Sequence, residues 1–320
     1  MLQSSQSSFG VGGVACRVII DFCILLAIGG VILYYGVWGE PRNTGFFCYD
    51  PTLSHPYRES SVPSAWLYSA GVFLPFIFVA MTELSRTRRS GGNITAFLAD
   101  LYAHFVIWYG FGALVSQAVT YVLKFYVSRL RPHFFAVCKP DYTAFASLCE
   151  TDSFILDYNC TNTDYSASVL REAYQSFPSG HSSFGFHAAA FLCLYLRERW
   201  RKNAGGIVWR PFIQFVFLTA AMIVGISRVN DFKHFPSDVV SGALLGALVA
   251  LFVYFTIDLS GLRNHYLFDI QESRSSLTRS YPKEPDRMPR NTSQVGLMGT
   301  RRIDSNYKTF DCYADSLQDE

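Results

Sequence analysis

The stretch Val239-Val-Ser-Gly-Ala-Leu-Leu-Gly-Ala-Leu-Val-Ala-Leu-Phe-Val-Tyr-Phe-Thr-Ile257 carries no charged side chain. A helix that crosses the hydrocarbon core of a bilayer needs about 20 apolar residues, and this run meets that length. It follows directly on Lys233-His234-Phe-Pro-Ser-Asp238, a polar segment. Working outward, five more apolar runs appear at 18–38, 64–82, 101–123, 180–196 and 211–227. The first holds Asp21 near its start, the third His104, and the fourth His181 and His187. Lipid cannot satisfy open backbone groups, so six such runs predict six helices packed together. A soluble all-α protein would need six helices with no polar face. The expected fold class is therefore an all-α membrane protein, a six-transmembrane helix bundle.

Composition agrees. Half of the 320 residues are hydrophobic, 16% are charged, and the mean hydropathy is +0.18. Lys and Arg number 27 against 25 Asp and Glu, a net charge of +2. That balance excludes a strongly basic nucleic-acid binder, so no nucleic-acid partner is expected. Residues 1–15 lack a basic cluster and a cleavage site, and the first apolar run is too long for a cleaved signal. The expected organisation is a short segment 1–16, a six-span domain 17–258, and a mostly disordered tail 259–320, rich in Ser, Arg, Asn and Pro.

Basic residues orient the chain. Arg86, Arg88 and Arg89 follow the second run, and Arg197, Arg199, Arg201, Lys202 and Arg210 follow the fourth. The connector 39–63 holds only Arg42 and Arg58. The positive-inside rule then places both termini in the cytoplasm, with the first, third and fifth connectors outside. Lys124, Arg129, Arg131, Arg228 and Lys233 oppose that count, which predicts a local role for them. Cys48, Cys138, Cys149 and Cys160 fall in the outer connectors, where an oxidising compartment permits two bridges in any of three pairings, or free buried thiols. Of the sequons at Asn93, Asn159 and Asn291, only Asn159 lies outside, so Asn159 is the expected glycan site.

Three polar constellations stand at the outer ends of the spans. Lys124 and Arg131 are seven residues apart, two helical turns, with Ser128 between them on the same face and Pro132 ending the helix. Lysine supplies a point charge and arginine a fork for two phosphate oxygens. Pro178-Ser179-Gly180-His181 opens the fourth run, and the free N–H groups of a helix start favour anions. Ser227-Arg228 through His234 and Asp238 joins the last two runs. His234 and Asp238 are four apart, so the carboxylate can accept from the imidazole and leave its other nitrogen free as a nucleophile. Three cations, a helix start and two histidines on one side of one bundle make an anion site with its own nucleophile and acid. Phosphate is the natural anion. Asp100 with His104 reads as an interfacial pair, and His187 as a packed, hydrogen-bonded histidine.

Lys-x6-Arg-Pro, Pro-Ser-Gly-His and Ser-Arg-x5-His-x3-Asp, in that order, resemble the motifs of the type 2 phosphatidate phosphatase (PAP2) superfamily. The stretches Gly225–His234 and Ser128–Phe134 look like the animal lipid phosphate phosphatases, also called phospholipid phosphatases. The likeness covers 17–258. It implies a bundle of the PAP2/acid phosphatase type and a metal-independent phosphatase with no cofactor. His234 would be the nucleophile, His181 the general acid and base, and Asp238 would orient His234. Lys124, Arg131, Ser179, Gly180 and Arg228 would bind the phosphate, and no residue would hold a metal. The implied substrates are phosphatidate, lysophosphatidate, sphingosine 1-phosphate and ceramide 1-phosphate, drawn from membrane lipid. The implied place is the plasma membrane with the site facing out, and a Golgi or endoplasmic reticulum lumen fits equally well. A homo-oligomer is compatible with the sequence. The competing readings are a catalytically silent lipid-binding scaffold of the same fold and a phosphatase for polyprenyl diphosphate or sugar phosphate.

Overall fold

The computed structural model describes residues 11–151, 153–200 and 207–257, with side chains from 16 onward. The expected tail, with Asn291 and Cys312, lies outside the described residues, as do 1–10, Arg201 and Lys202. Helix α1 (Val11–Val37) leads through a long connector to α2 (Ser64–Arg89). Then α3 (Ile94–Leu101) passes through a π-helical segment, Tyr102–Gly110, into α4 (Phe111–Val127). Three short helices follow: α5 (Phe134–Cys138), α6 (Ala146–Glu150) and α7 (Ala167–Glu172). The chain closes with α8 (Gly180–Arg199), α9 (Trp209–Asn230) and α10 (Pro236–Thr256). One small antiparallel ladder pairs β1 (Phe46–Phe47) with β2 (Phe154–Ile155).

Five stretches are long and apolar enough to cross a membrane: Cys16–Val37, Ser64–Arg89, Ile94–Val127, Trp209–Asn230 and Pro236–Thr256. The sixth expected run, 180–196, is helical as part of α8 but is not among the five. The physical reason is its position. Helix α8 packs against α2, α4, α9 and α10, and half of its residues are buried. A central helix contacts protein rather than lipid, so it can carry Ser182, Ser183, His181 and His187. The other helices turn large apolar side chains outward instead, such as Leu26, Phe73, Phe215, Leu244 and Phe252.

Helix α10 is pressed onto α8 at two glycines one turn apart. A Cβ on Gly242 would collide with the Ser179 carbonyl, and one on Gly246 with the Ser183 carbonyl. Small residues let backbones approach where van der Waals packing drives helix association in lipid. This contact fixes the start of α10 beside the start of α8.

The connectors 38–63 and 128–178 fold on one another over one end of the bundle. Phe46, Leu130, Phe134, Val137, Phe145 and Ile155 form their core. Disulfides Cys48–Cys149 and Cys138–Cys160 staple it, which selects one of the three pairings open to the sequence. Cys16 and Cys23 are free and exposed, and Cys193 is free.

At the opposite end, the Asp100–His104 pair differs from expectation. Both are buried, at 5% and 3% exposure. His104 Nδ1 donates to the Asp100 carbonyl at 2.7 Å, not to its carboxylate. That carboxylate takes Arg199 Nη2 at 3.2 Å, and Arg199 Nε reaches the fully buried Glu83 at 2.8 Å. Tyr195 also donates to Glu83, at 2.7 Å. A buried carboxylate needs such partners, and together they tie α2, α3 and α8.

Candidate active site

Helix α4 stops at Val127 because Ser128 takes the left-handed conformation, φ 46°. The Ser128 hydroxyl donates to the Phe125 carbonyl and accepts from Arg42 N, while its carbonyl accepts from Thr44. The expected shared helical face of Lys124, Ser128 and Arg131 is therefore not formed. Arg131 reaches the site from the connector instead, held by its backbone N–H on the Ala173 carbonyl at 2.9 Å. Both cations still line the same cavity, which measures about 220 Å³.

That cavity gathers Lys124, Arg131, Gly180, His181, Arg228 and His234. Arg171, Lys233 and Gln175 also line it, and among the described residues Glu172 is the only acidic one of its lining. Five cations against one carboxylate make an anion site. The buried Arg131 Nε has no hydrogen-bond partner among the described residues, and its Nη1 lies 3.4 Å from Glu172 Oε2. A buried donor left open is costly unless a ligand fills it. Among the described residues, Lys124 Nζ meets only a long 3.4 Å contact to the Gln175 carbonyl.

Arg228, 1% exposed, is set by its own helix end. Its Nη2 bonds Asp231 Oδ2 and Ser227 Oγ, each at 3.0 Å. Asp231 in turn accepts from Ser61 N and Oγ at 2.8 and 2.6 Å. Lys233 lies over the Tyr57 ring, 3.7 Å from its centroid, a cation–π contact.

The imidazole of His234 is 3% exposed. Its Nδ1 lies 2.6 Å from the Ser176 carbonyl oxygen. A carbonyl only accepts, so Nδ1 carries the proton and Nε2 keeps its lone pair. Burial, then Arg131 and Lys124, hold this histidine well below the ordinary imidazole pKa, so the ring is neutral near pH 7.

The spacing predicted a hydrogen bond from His234 to Asp238, and the structure does not form it. Its Oδ2 stands 4.0 Å from His234 Nδ1, because that oxygen already accepts from the Ser176 hydroxyl at 2.6 Å and from Phe235 N at 3.0 Å. Pro236 opens α10, and Asp238 caps the same helix. Its Oδ1 takes Arg129 Nη1 at 2.6 Å. The link between Asp238 and His234 thus runs through Ser176. Ser179 also departs from expectation. Its hydroxyl accepts from Ser182 N and Oγ, its N–H donates to the Asp238 carbonyl, and it is absent from the cavity wall.

His181 Nε2 lies 3.2 Å from the Val62 carbonyl and 3.4 Å from Arg228 Nη1. The carbonyl needs a proton on Nε2, and the guanidinium needs a lone pair there. The ring has a partner ready in either state, which suits a group that gives and takes a proton. His187 is fully buried, with Nε2 3.2 Å from the Tyr109 carbonyl, outside the cavity. Asn159 is exposed beside the Cys138–Cys160 bridge. Among the described residues no cluster of three or more His, Cys, Asp or Glu is placed to hold a metal ion.

Sequence reasoning missed Ser176, Asp231, Gln175 and Glu172. It flagged Arg129 and Lys233 only as cations on the wrong side of the charge rule, and that breach was the available signal.

Residues 105–260 match the model of the PAP2 superfamily. The chain is 38% identical over 262 residues to a Drosophila melanogaster protein named "Putative phosphatidate phosphatase", covering 75% of this chain and 68% of the fly protein. It is 33% identical to phospholipid phosphatase 1 of Rattus norvegicus, covering 74% and 83% of the two chains. Phospholipid phosphatase 2 of Mus musculus is 33% identical, with 85% and 93% covered. No solved structure matches the chain.

Proposed function

Since the chain belongs to the PAP2 superfamily, alongside the phospholipid phosphatases, we propose that it hydrolyses lipid phosphomonoesters through a phosphohistidine on His234. One observation carries this reading: a neutral His234, with Nε2 unprotonated, stands in a cavity lined by five cations. The substrates are phosphatidate, lysophosphatidate, sphingosine 1-phosphate and ceramide 1-phosphate. Helix α8 is the sixth span, both termini are cytoplasmic, and the cavity opens on the exoplasmic side, at the plasma membrane.

In the first step His234 Nε2 attacks phosphorus and a P–N bond forms. The bond from phosphorus to the lipid oxygen breaks, its electron pair stays on that oxygen, and His181 supplies the proton. Lys124, Arg131, Arg228 and Lys233 hold the phosphoryl oxygens, and the Gly180 amide at the start of α8 assists. In the second step His181 takes a proton from water as the water attacks phosphorus. The P–N bond breaks, phosphate leaves, and His234 is restored. Positioned cations supply the charge stabilisation that phosphoryl transfer demands, and the same cations would repel a divalent ion, so the reaction proceeds in chelator.

The test is phosphate release from lysophosphatidate by detergent-purified protein in excess chelator, wild type against His234→Ala. Release by wild type alone supports the reading. A folded wild type that releases nothing from any of the four lipids overturns it and favours a silent scaffold.

A further inference from the structure

Lys124, Arg129, Arg131, Arg228 and Lys233 all oppose the positive-inside count. Four of them line the cavity, and Arg129 does not. After the left-handed turn at Ser128, Arg131 enters the cavity while Arg129 reaches the start of α10. Its Nη1 donates to Asp238 Oδ1 at 2.6 Å and to Ser237 Oγ at 2.8 Å. Its guanidinium lies over the Phe235 ring, 4.1 Å from the centroid. Its backbone carbonyl accepts from Ser176 N at 2.8 Å. The Ser176 hydroxyl returns to Asp238 Oδ2 at 2.6 Å. Arg129, Ser176 and Asp238 thus close a ring of hydrogen bonds, and on its rim the Ser176 carbonyl accepts from His234 Nδ1.

We propose that Arg129 is a positioning residue for His234, acting through Asp238 and Ser176 rather than on the phosphate. The inference rests on the phosphatase reading and extends it to a side chain outside the cavity. A half-buried arginine on a carboxylate ordinarily contributes little. This pair differs because Asp238 is fully buried, and a buried charge that loses its partner is costly. The other groups bonded to that carboxylate, the Ser176 hydroxyl and Phe235 N, are neutral, so Arg129 supplies the opposite charge. Stacking on Phe235 and the bond to Ser237 fix the plane of the guanidinium. With Oδ1 occupied by Arg129, Oδ2 stays with the Ser176 hydroxyl, and the Ser176 carbonyl keeps its place on His234 Nδ1. Without Arg129 the carboxylate is free to turn toward Nδ1, which lies 4.0 Å from Oδ2. Positive charge grows on the imidazole as Nε2 attacks phosphorus. A misplaced partner at Nδ1 therefore raises the barrier without weakening the hold on phosphate.

The test compares full-length wild type, Arg129→Gln and Arg129→Lys in detergent. Arg129→Gln should lower kcat for lysophosphatidate about tenfold and leave KM within about twofold of wild type. The rise in melting temperature given by inorganic phosphate should match wild type, showing that the cavity is formed. Arg129→Lys keeps the charge but loses the fork, and its kcat should sit about threefold below wild type. In an Asp238→Asn background, Arg129→Gln should cost less than about twofold, because the residue it acts through is already disabled. The same cycle with Arg129→Lys decides the matter if the glutamine variant does not fold. Lys139→Gln, from an exposed pair with Asp164, is the control and should change nothing. A loss in the Asp238→Asn background equal to that in wild type overturns the proposal. So does weaker stabilisation by phosphate with kcat kept, which would make Arg129 a phosphate ligand. A last readout does not need turnover. In protein carrying nitrogen-labelled histidine, assigned by NMR with His234→Ala, His234 should be the Nδ1–H tautomer in wild type and a mixture in Arg129→Gln. An unchanged tautomer overturns the proposal. Absence of phosphate release by wild type would instead defeat the phosphatase reading, and the tautomer would still report whether Arg129 orders His234.

Discussion

Ser176 holds Asp238 with its side chain and His234 with its backbone. The hydroxyl donates to Asp238 Oδ2 at 2.6 Å, and the carbonyl accepts from His234 Nδ1 at 2.6 Å. The carboxylate therefore positions the proposed nucleophile by fixing the residue that orients it. Ser176→Ala leaves the carbonyl in place but frees it to shift. We expect kcat to fall about tenfold, roughly 1.4 kcal/mol in the barrier, with KM little changed. Ser176→Thr keeps the hydroxyl and should restore most of the rate. Equal rates for Ser176→Ala and wild type would show that Asp238 reaches His234 without it.

Lys233 supplies a pH limb. Burial, with Arg131 next, lowers its pKa to about 8. The sign follows from the charge: a depressed lysine is cationic below that value and neutral above it. Phosphate held by Lys233 should bind less well as pH rises through 8. Product inhibition by inorganic phosphate should weaken in wild type between pH 7 and 9. Lys233→Gln should show weaker inhibition at pH 7 and a flatter profile. Indistinguishable profiles would remove Lys233 from the anion site.

Gly246 carries the contact between α8 and α10. Gly246→Val forces a side chain into the Ser183 carbonyl, and overpacking of this kind costs about 1–3 kcal/mol or more. The variant should unfold at lower temperature in detergent and lose most activity, since α10 positions both His234 and Asp238. Leu244→Ala removes an outward-facing side chain, 58% exposed, and should leave the melting temperature close to wild type.

Glycosylation reads the topology. Asn159 is exposed, whereas Asn93 caps α3 by accepting from Ala96 N at 2.9 Å. Asn159→Gln should abolish the mobility shift given by endoglycosidase on protein from animal cells, and Asn93→Gln should not alter it. Glycan on Asn93 would reverse the orientation proposed above.

The apolar runs were legible because lipid imposes a length and a composition. Val239 to Ile257 announced α10 without help from its neighbours. The cations were legible for the opposite reason, since Lys124, Arg131 and Arg228 stand where charge is expensive. What stayed hidden depends on backbone. Nothing in the letter Ser reveals that Ser176 offers its carbonyl to His234, and the four-residue spacing of His234 and Asp238 suggested a direct bond. The left-handed turn at Ser128 was hidden likewise, since Pro132 pointed to a later helix end. Glu172 and Gln175 enter the cavity from a connector with no periodic pattern to read.

Helix α8 has a consequence for how the protein is made. It brings His181 to the site, yet it is the long helix whose composition falls short of the five spans. Polar and charged residues raise the cost of handing a segment to the bilayer. As the proposed sixth span, α8 alone is a poor stop for the translocating chain; its Ser183 finds Gln117 and Thr120 of the earlier α4, but its His181 meets Arg228 only once α9 has arrived. In the six-span arrangement proposed above, membrane integration is then not finished when α8 leaves the ribosome. It is finished when Gly242 and Gly246 close on Ser179 and Ser183, the same event that sets His234 beside His181. A chain arrested before that point holds no half-working site, and biosynthetic quality control that senses an unclaimed polar helix would be inspecting catalytic competence at the same time.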